Sequence, residues 1–157
     1  SIRKALRAHG RPGGFLGLVA GGDDNPFVGQ ARRLIADGRT HALVGLGPGF
    51  TPSGDDFLAG VLLAESWAGG ASGGSGVDRE AMRAALGRTT PGGRTLLALA
   101  LRGSYPAYLL RFVEQVRAAS SGAQLEQAVL HAVEHGETSG TDALLGVLWR
   151  MGVIGGA

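Results

Sequence analysis

Cysteine is absent from this 157-residue chain, which excludes disulfides and thiolate metal sites. Aromatic residues make up only 6% of the chain, and no apolar run approaches the ~20 residues that a membrane-spanning helix needs. A secretory signal is also missing, so the sequence predicts a cytoplasmic protein. Because the chain begins with Ser1 rather than Met, we expect either a processed chain or the C-terminal part of a longer polypeptide.

A strong excess of one charge is also lacking. The formal net charge is only +2, although the isoelectric point is near 9.7. The basic residues are almost all arginines, scattered along helix-like stretches and interleaved with apolar residues, as on solvated helix faces. No basic stripe with interleaved aromatics is present, so we expect neither a nucleic-acid partner nor a membrane.

The remaining composition, 44% hydrophobic and 18% charged, is typical of a globular protein with the length of one domain. Helical periodicity dominates and predicts a mainly α, compact helical domain over residues 1–157. One short strand pair, 15–20 with 42–46, is the only β alternative. A flexible loop rich in glycine and serine is predicted at 69–76. The predicted helices cover 2–9, 26–37, 52–67, 78–86, 94–101, 107–118 and 124–135, with a last one starting near 139.

Two segments of the chain are near copies of one another. TPSGDDFLAGVLLA at 51–64 and ETSGTDALLGVLWR at 137–150 agree at seven of fourteen positions with an offset of 86. Both copies contain an S-G-x-D corner followed by a helix that is apolar nearly all round, which is typical of a central buried helix. The equivalent Gly60 and Gly146 would let the two helices approach closely. We therefore predict a pseudo-symmetric helix pair whose N-termini share one pocket; the alternative is two core helices whose ends lie apart.

The two corners are candidate anion sites, because helix N-termini present backbone amides and a positive dipole end. A glycine-rich loop, GLGPG at 45–49, precedes the first corner and allows close backbone approach to a ligand. A structural alternative is that each S-x-x-D forms a capping box, although capping explains neither Gly54 nor Gly140. The candidate binding residues are Gly47, Gly49, Thr51, Ser53, Gly54, Thr138, Ser139 and Gly140.

Three carboxylates, those of Asp55, Asp56 and Asp142, are the catalytic candidates at the corners. Carboxylates repel an anion, so the ligand must either carry both an anionic group and N–H donors or arrive with Mg²⁺ held by the carboxylates. The sequence leaves both options open and assigns no metal ligand. An Mg²⁺-dependent hydrolase or phosphotransferase that uses these three aspartates is therefore one alternative function.

The segment GLGPGFTPSGDDFLAG at 45–60 resembles the signature of a bacterial family long catalogued as a domain of unknown function. That family is linked to the oxamate carbamoyltransferase of allantoin degradation, a purine catabolic enzyme with several subunits. GETSGTD at 136–142 resembles a second block of the family, and Thr89–Thr90 followed by Leu96–Leu97 resembles an intervening one. The middle block departs from the family pattern at Gly93, where we expect serine.

The resemblance implies a carbamoyltransferase subunit that binds a small anionic substrate such as carbamoyl phosphate or oxamate. It also implies other protein subunits or a homo-oligomer as partners. Asp55 or Asp56 would orient the amide nitrogen or take its proton. Thr90 and Arg94 are further binding candidates, Arg94 as a clamp for a carboxylate. A noncatalytic ligand-binding or assembly subunit is the remaining alternative.

Overall fold

The computed structural model describes residues 1–21, 25–67 and 76–155. Most of the predicted loop at 69–76 lies outside these residues. The described part contains three short 3-10 helices, Leu16–Leu18, Thr40–Leu43 and Leu86–Arg88, and eight α-helices. These are α1 (Ile2–His9), α2 (Pro26–Ala36), α3 (Ser53–Trp67), α4 (Arg79–Ala85), α5 (Pro91–Ala100), α6 (Ala107–Ala118), α7 (Gly122–Val133) and α8 (Ser139–Arg150).

The predicted mainly α fold is confirmed, whereas the short strand pair is wrong: none of the described residues forms a strand. Both segments instead contain 3-10 turns with apolar side chains packed into the helical core. At the second segment the backbone turns at Gly45, whose φ of +79° is incompatible with an extended strand. A short apolar run does not distinguish a strand from a buried turn, and here tertiary packing selects the turn.

Side chains fix where several of the helices begin. Asn25 accepts hydrogen bonds from the backbone N–H groups of Phe27 and Val28, and Pro26 occupies the first turn of α2. Thr90 caps α5 in the same way, also ahead of a proline. None of the helices in the described ranges is long and apolar enough to cross a membrane.

Helices α3 and α8 form the centre of the molecule, as the internal repeat predicts. Both are buried along most of their length, and they make the most extensive helix–helix contact of the structure. A Cβ at Gly60 would lie 1.9 Å from the carbonyl oxygen of Ala143, and one at Gly146 would lie 1.9 Å from that of Phe57. These two contacts exchange under the offset of 86, so the helix pair is pseudo-symmetric about its crossing point.

The remaining helices surround this pair. Helix α5 packs on α3, α7 contacts α8, and α6 and α1 pack on α7. The glycines of the two corners permit equally close packing: a Cβ at Gly54 would lie 1.9 Å from Leu43 O, and one at Gly140 would lie 1.8 Å from Ala132 O. Backbone packing therefore accounts for the two corner glycines that helix capping does not explain.

Candidate anion-binding site

A pocket of about 640 Å³ opens between the two corners. Three chain segments form its wall: the turn after α1, the glycine loop ahead of α3, and the segment that joins α7 to α8. The N-termini of α3 and α8 therefore lie at one pocket rather than apart. The lining residues are Pro12, Gly13, Pro48, Gly49, Phe50, Thr51, His135, Gly136, Glu137, Thr138 and Ser139.

Two hydroxyls from the two repeat copies meet in this pocket. Thr51 Oγ1 lies 3.1 Å from Ser139 Oγ, although the residues are 88 positions apart. Thr51 Oγ1 also donates to Asp56 Oδ2 over 3.1 Å, and the Ser139 hydroxyl hydrogen-bonds to the same carboxyl group. Thr51, Ser139 and Asp56 therefore form one hydrogen-bonded cluster, called here the hydroxyl–carboxyl triad.

Asp56 is the inner member of this triad and is only 3% exposed. Burial, reinforced by the nearby negative charge of Asp142, raises its pKa from 3.8 to about 8. The hydrogen bonds from Ser139 and Thr51 offset only part of that effect. At neutral pH the Asp56 carboxyl group is therefore mainly protonated and uncharged.

Asp142 is the equivalent residue of the second copy, and it is fully buried. Its Oδ1 accepts a hydrogen bond from the backbone N–H of Phe15 over 2.7 Å. A Cβ at Gly14 would lie 2.5 Å from Asp142 Oδ2 and 2.7 Å from Ser53 Oγ, so a larger residue there would displace these buried side chains. The Ser53 hydroxyl is buried and has no hydrogen-bond partner among the described residues. The turn after α1 thus closes over both corners.

Asp55 has a different environment from its neighbour Asp56. Its Oδ1 accepts from the backbone N–H of Gly45 over 2.8 Å, and its Oδ2 accepts from the Thr89 hydroxyl. Burial raises its pKa against the effect of these two bonds. Asp55 therefore joins α3 to the glycine loop and to the segment ahead of α5, and it does not line the pocket.

Gly93 lies directly against this Asp55 contact. A Cβ there would be 1.8 Å from Asp55 Oδ2 and 2.5 Å from Thr89 Oγ1. The serine that the family resemblance leads us to expect would collide with the carboxyl group in its present position. Glycine at position 93 therefore permits the placement of the Asp55 carboxyl group seen in this chain.

We predict that Gly93→Ala destabilises the fold by about 1–3 kcal/mol, because a pinned, buried carboxyl group must move. The matched control is Gly92→Ala in the same helical turn. A Cβ at Gly92 would meet the ring of Phe50, a side chain that is 75% exposed, instead of a buried carboxyl group. Chemical unfolding of both variants gives the comparison, and equal stabilities would show that Asp55 moves without cost.

The other predicted binding residues divide between the pocket and its surroundings. Gly49 and Thr138 line the pocket, and Gly47 packs on Ser53 with a φ of +108°. Thr90 donates from its hydroxyl to the Phe50 carbonyl and so holds the glycine loop near α5. Arg94 does not line the pocket, because its Nε donates to Leu86 O on the exposed side of α5.

The capping-box interpretation does not describe either corner. Within the described part of the chain, the Ser53 hydroxyl makes no hydrogen bond to a helix N–H, and the side chain of Thr138 at the start of α8 makes no capping bond. The Ser139 hydroxyl points instead to the triad. The polar side chains at the two helix starts thus contact each other across the pocket instead of capping their own helices.

Several residues of the site escape sequence reasoning. The Tyr108 ring stacks on His135 with centroids 4.0 Å apart, and burial together with the charges of Asp56 and Asp142 raises the Tyr108 pKa. Arg11 donates from Nη1 to the Gly136 carbonyl over 3.1 Å and places a cation at the rim. Gly14 is a third residue of the site that sequence reasoning did not identify. None of the three belongs to the internal repeat or to the motif blocks at 45–60, 89–97 and 136–142, from which the candidate residues were drawn.

A grouping of three or more His, Asp or Glu side chains suited to a metal ion does not occur in the described ranges. The three aspartates are directed to different partners, namely Thr89 and Gly45 for Asp55, the two hydroxyls for Asp56, and the Phe15 amide for Asp142. The arrangement is one of hydroxyl groups, amides and carboxyl groups around a pocket.

The fold and the site define a helical protein with two related, acidic helix starts at one pocket. Residues 43–151 match the model of the family described as oxamate carbamoyltransferase subunit AllH, and the chain belongs to that family. The matched range contains both corners and the whole of the chain from α3 to α8. Comparisons with curated proteins and with solved structures gave no match.

Proposed function

We propose that this chain is a subunit of an oxamate carbamoyltransferase-type enzyme and that it binds carbamoyl phosphate or oxamate in the pocket between the corners. The observation that carries the proposal is the meeting of Thr51 and Ser139, 3.1 Å apart, at the start of two central helices. Hydroxyls, backbone amides and two helix dipoles then act on one small anion. The family's description names a subunit, so the chain would work with other protein subunits; a homo-oligomer is the alternative.

Protonation of Asp56 removes one negative charge that would otherwise repel an anion from the pocket. With its pKa near 8, Asp56 is mainly neutral at pH 7 and adds a hydrogen-bond donor instead of a negative charge. Carbamoyl phosphate and oxamate also carry an NH₂ group, which suits a carboxyl oxygen as acceptor. Among the three aspartates, Asp56 bonds directly to two residues that line the pocket, so we favour it over Asp55 for orienting the amide.

In the proposed reaction the amide nitrogen of oxamate attacks the carbamoyl carbon, and a C–N bond forms. The C–O bond to phosphate breaks, phosphate leaves with the bonding electrons, and the proton lost from nitrogen goes to phosphate. The pocket would contribute by holding the two substrates in position and by stabilising the developing oxyanion with preorganised donors. These are the roles we assign to the hydroxyls and helix-start amides of the two corners.

The test is binding and turnover with the Thr51→Val and Ser139→Ala variants. We expect each variant to weaken oxamate or carbamoyl phosphate binding at least tenfold in calorimetry, because a donor to a charged group is worth about 1.5–3 kcal/mol. Thr95→Val, on the exposed face of α5 away from the pocket, is the control and should bind like the parent chain.

Turnover is followed as oxamate-dependent release of phosphate from carbamoyl phosphate. Binding by the chain alone without turnover, with turnover restored by other subunits, would identify a binding subunit rather than a complete enzyme. Unchanged affinities in both hydroxyl variants would contradict the proposed site, and activity lost in EDTA would favour the alternative that uses Mg²⁺.

A further inference from the structure

When Asp56 is ionised, the hydroxyl–carboxyl triad has no proton left to donate to an anion in the pocket. Thr51 and Ser139 each carry one hydroxyl proton, and both hydroxyls bond to the Asp56 carboxyl group. An ionised carboxylate only accepts, so it takes both protons. The hydroxyls then present lone pairs to the pocket, and these repel an anion.

A neutral Asp56 adds one proton to the hydroxyl–carboxyl triad. Its proton can be donated to Thr51 Oγ1, the Thr51 proton can pass to Ser139 Oγ over the 3.1 Å contact, and the Ser139 proton becomes available to a ligand. Every member of the cluster keeps a hydrogen bond in this arrangement. The same three side chains thus provide an outward donor only when they hold one extra proton.

The charges around the pocket make that donor important. None of the described lining residues is Lys or Arg; the titratable ones are His135 and Glu137, and Arg11 lies at the rim. The titratable groups that act on Asp56 are Asp142 of α8, Tyr108 of α6 and its own neighbour Asp55 on α3. Two of these three are acidic, so they favour retention of a proton on Asp56 when an anion arrives.

We propose that the pocket takes up its anion together with one proton, held on Asp56, which turns the Ser139 hydroxyl into a donor toward the ligand. This inference rests on the proposed function, because it concerns the same site. It describes the ligand class as anions recognised through hydroxyl and amide donors, and it couples their affinity to pH. Burial of Asp56 beside Asp142 places this proton uptake at mildly alkaline pH, because at neutral pH the carboxyl group already holds the proton.

Oxamate is the probe of choice, because its carboxylate keeps one charge from pH 6 to 9, whereas phosphate groups titrate in this range. We expect the oxamate Kd to be nearly constant below pH 7 and to rise about tenfold between pH 7 and 9 as Asp56 ionises. Calorimetry in two buffers of different ionisation enthalpy should show uptake of close to one proton per oxamate at pH 9. This second measurement needs no variant.

The diagnostic variant is Asp56→Asn, whose amide keeps a donor at every pH. It should bind oxamate with an affinity that no longer changes between pH 7 and 9. His135→Gln removes a second titratable side chain from the pocket wall, and it should retain the pH dependence of the parent chain. Asp37→Asn, an exposed aspartate at the end of α2, is the control for removal of one carboxylate and should also retain it.

The outcomes separate the two proposals. Oxamate binding that is independent of pH in the parent chain, with no proton uptake, would overturn the inference and leave the binding site intact. A pH dependence that persists in Asp56→Asn and disappears in His135→Gln would also overturn it. If neither oxamate nor carbamoyl phosphate binds at any pH, the proposed function itself fails.

Discussion

Gly60→Ala is expected to lower the stability of the chain by about 3 kcal/mol or more, the upper end of overpacking effects. The new methyl group would lie 1.9 Å from the carbonyl oxygen of Ala143, which is backbone and has no rotamer to change. Helices α3 and α8 would have to separate along their whole contact. For a chain of this length the loss corresponds to a melting temperature lower by about 6–12 °C.

Gly146→Ala should have an effect of similar size, because its contact with Phe57 O is the repeat-related copy of the Gly60 contact. Gly29→Ala is the matched control, since Gly29 lies inside helix α2 and a methyl group added there would meet nothing within 4 Å. Alanine there should stabilise by about 0.5–1 kcal/mol through helix propensity. Thermal unfolding of the three variants tests the close contact between helices α3 and α8. A Gly60→Ala protein as stable as Gly29→Ala would refute that contact.

The second large effect is a loss of stability as the pH rises from 5 to 8. Asp56 has a folded-state pKa near 8 against an ordinary value of 3.8, so the folded chain keeps a proton that the unfolded chain releases. Stability from this group is fully present below pH 4 and is lost as the pH rises toward 8. Each pH unit removes up to about 1.4 kcal/mol, or about 4 kcal/mol over three units. Burial of Asp55 acts in the same direction.

Guanidinium unfolding of the parent chain and of Asp56→Asn at pH 5, 6, 7 and 8 measures this dependence. The asparagine cannot ionise, so the free energy of unfolding should decline less steeply with pH. The difference in slope should correspond to about one proton bound by the folded chain. Asp37→Asn, which removes an exposed carboxylate, should follow the parent chain. Parallel pH profiles for the parent chain and Asp56→Asn would show that Asp56 titrates normally in the fold.

Much of the fold was accessible from local pattern. Helices α1 and α6 have the predicted bounds, and α3 ends at Trp67 as predicted. The apolar character of α3 and α8 on every side predicted their central position, since such helices have no face suited to water. The strand pair failed because residues 15–20 and 42–46 are short apolar runs, for which neighbours decide the conformation.

The sequence predicted which corner residues would lie close together, and the structure determined what each of them contacts. The repeat identified Thr51, Ser139 and Asp56, which the structure brings together. The family resemblance gave Asp55 and Asp56 as alternatives for one role, yet one bonds to Thr89 and the other to the pocket hydroxyls. Adjacent residues on a helix point about 100° apart, and which side meets the pocket depends on how α3 is packed.

The sequence by itself determined the helical class, the two central helices and the paired corners, because these follow from hydrophobic period, glycine placement and internal repetition. Only the tertiary structure decided the state of Asp56 and the contributions of Gly14, Tyr108 and Arg11. Those depend on burial and on distances between segments far apart in the chain, here 88 positions for Thr51 and Ser139. A pKa and a shared pocket are properties of assembled neighbours, and no local pattern encodes them.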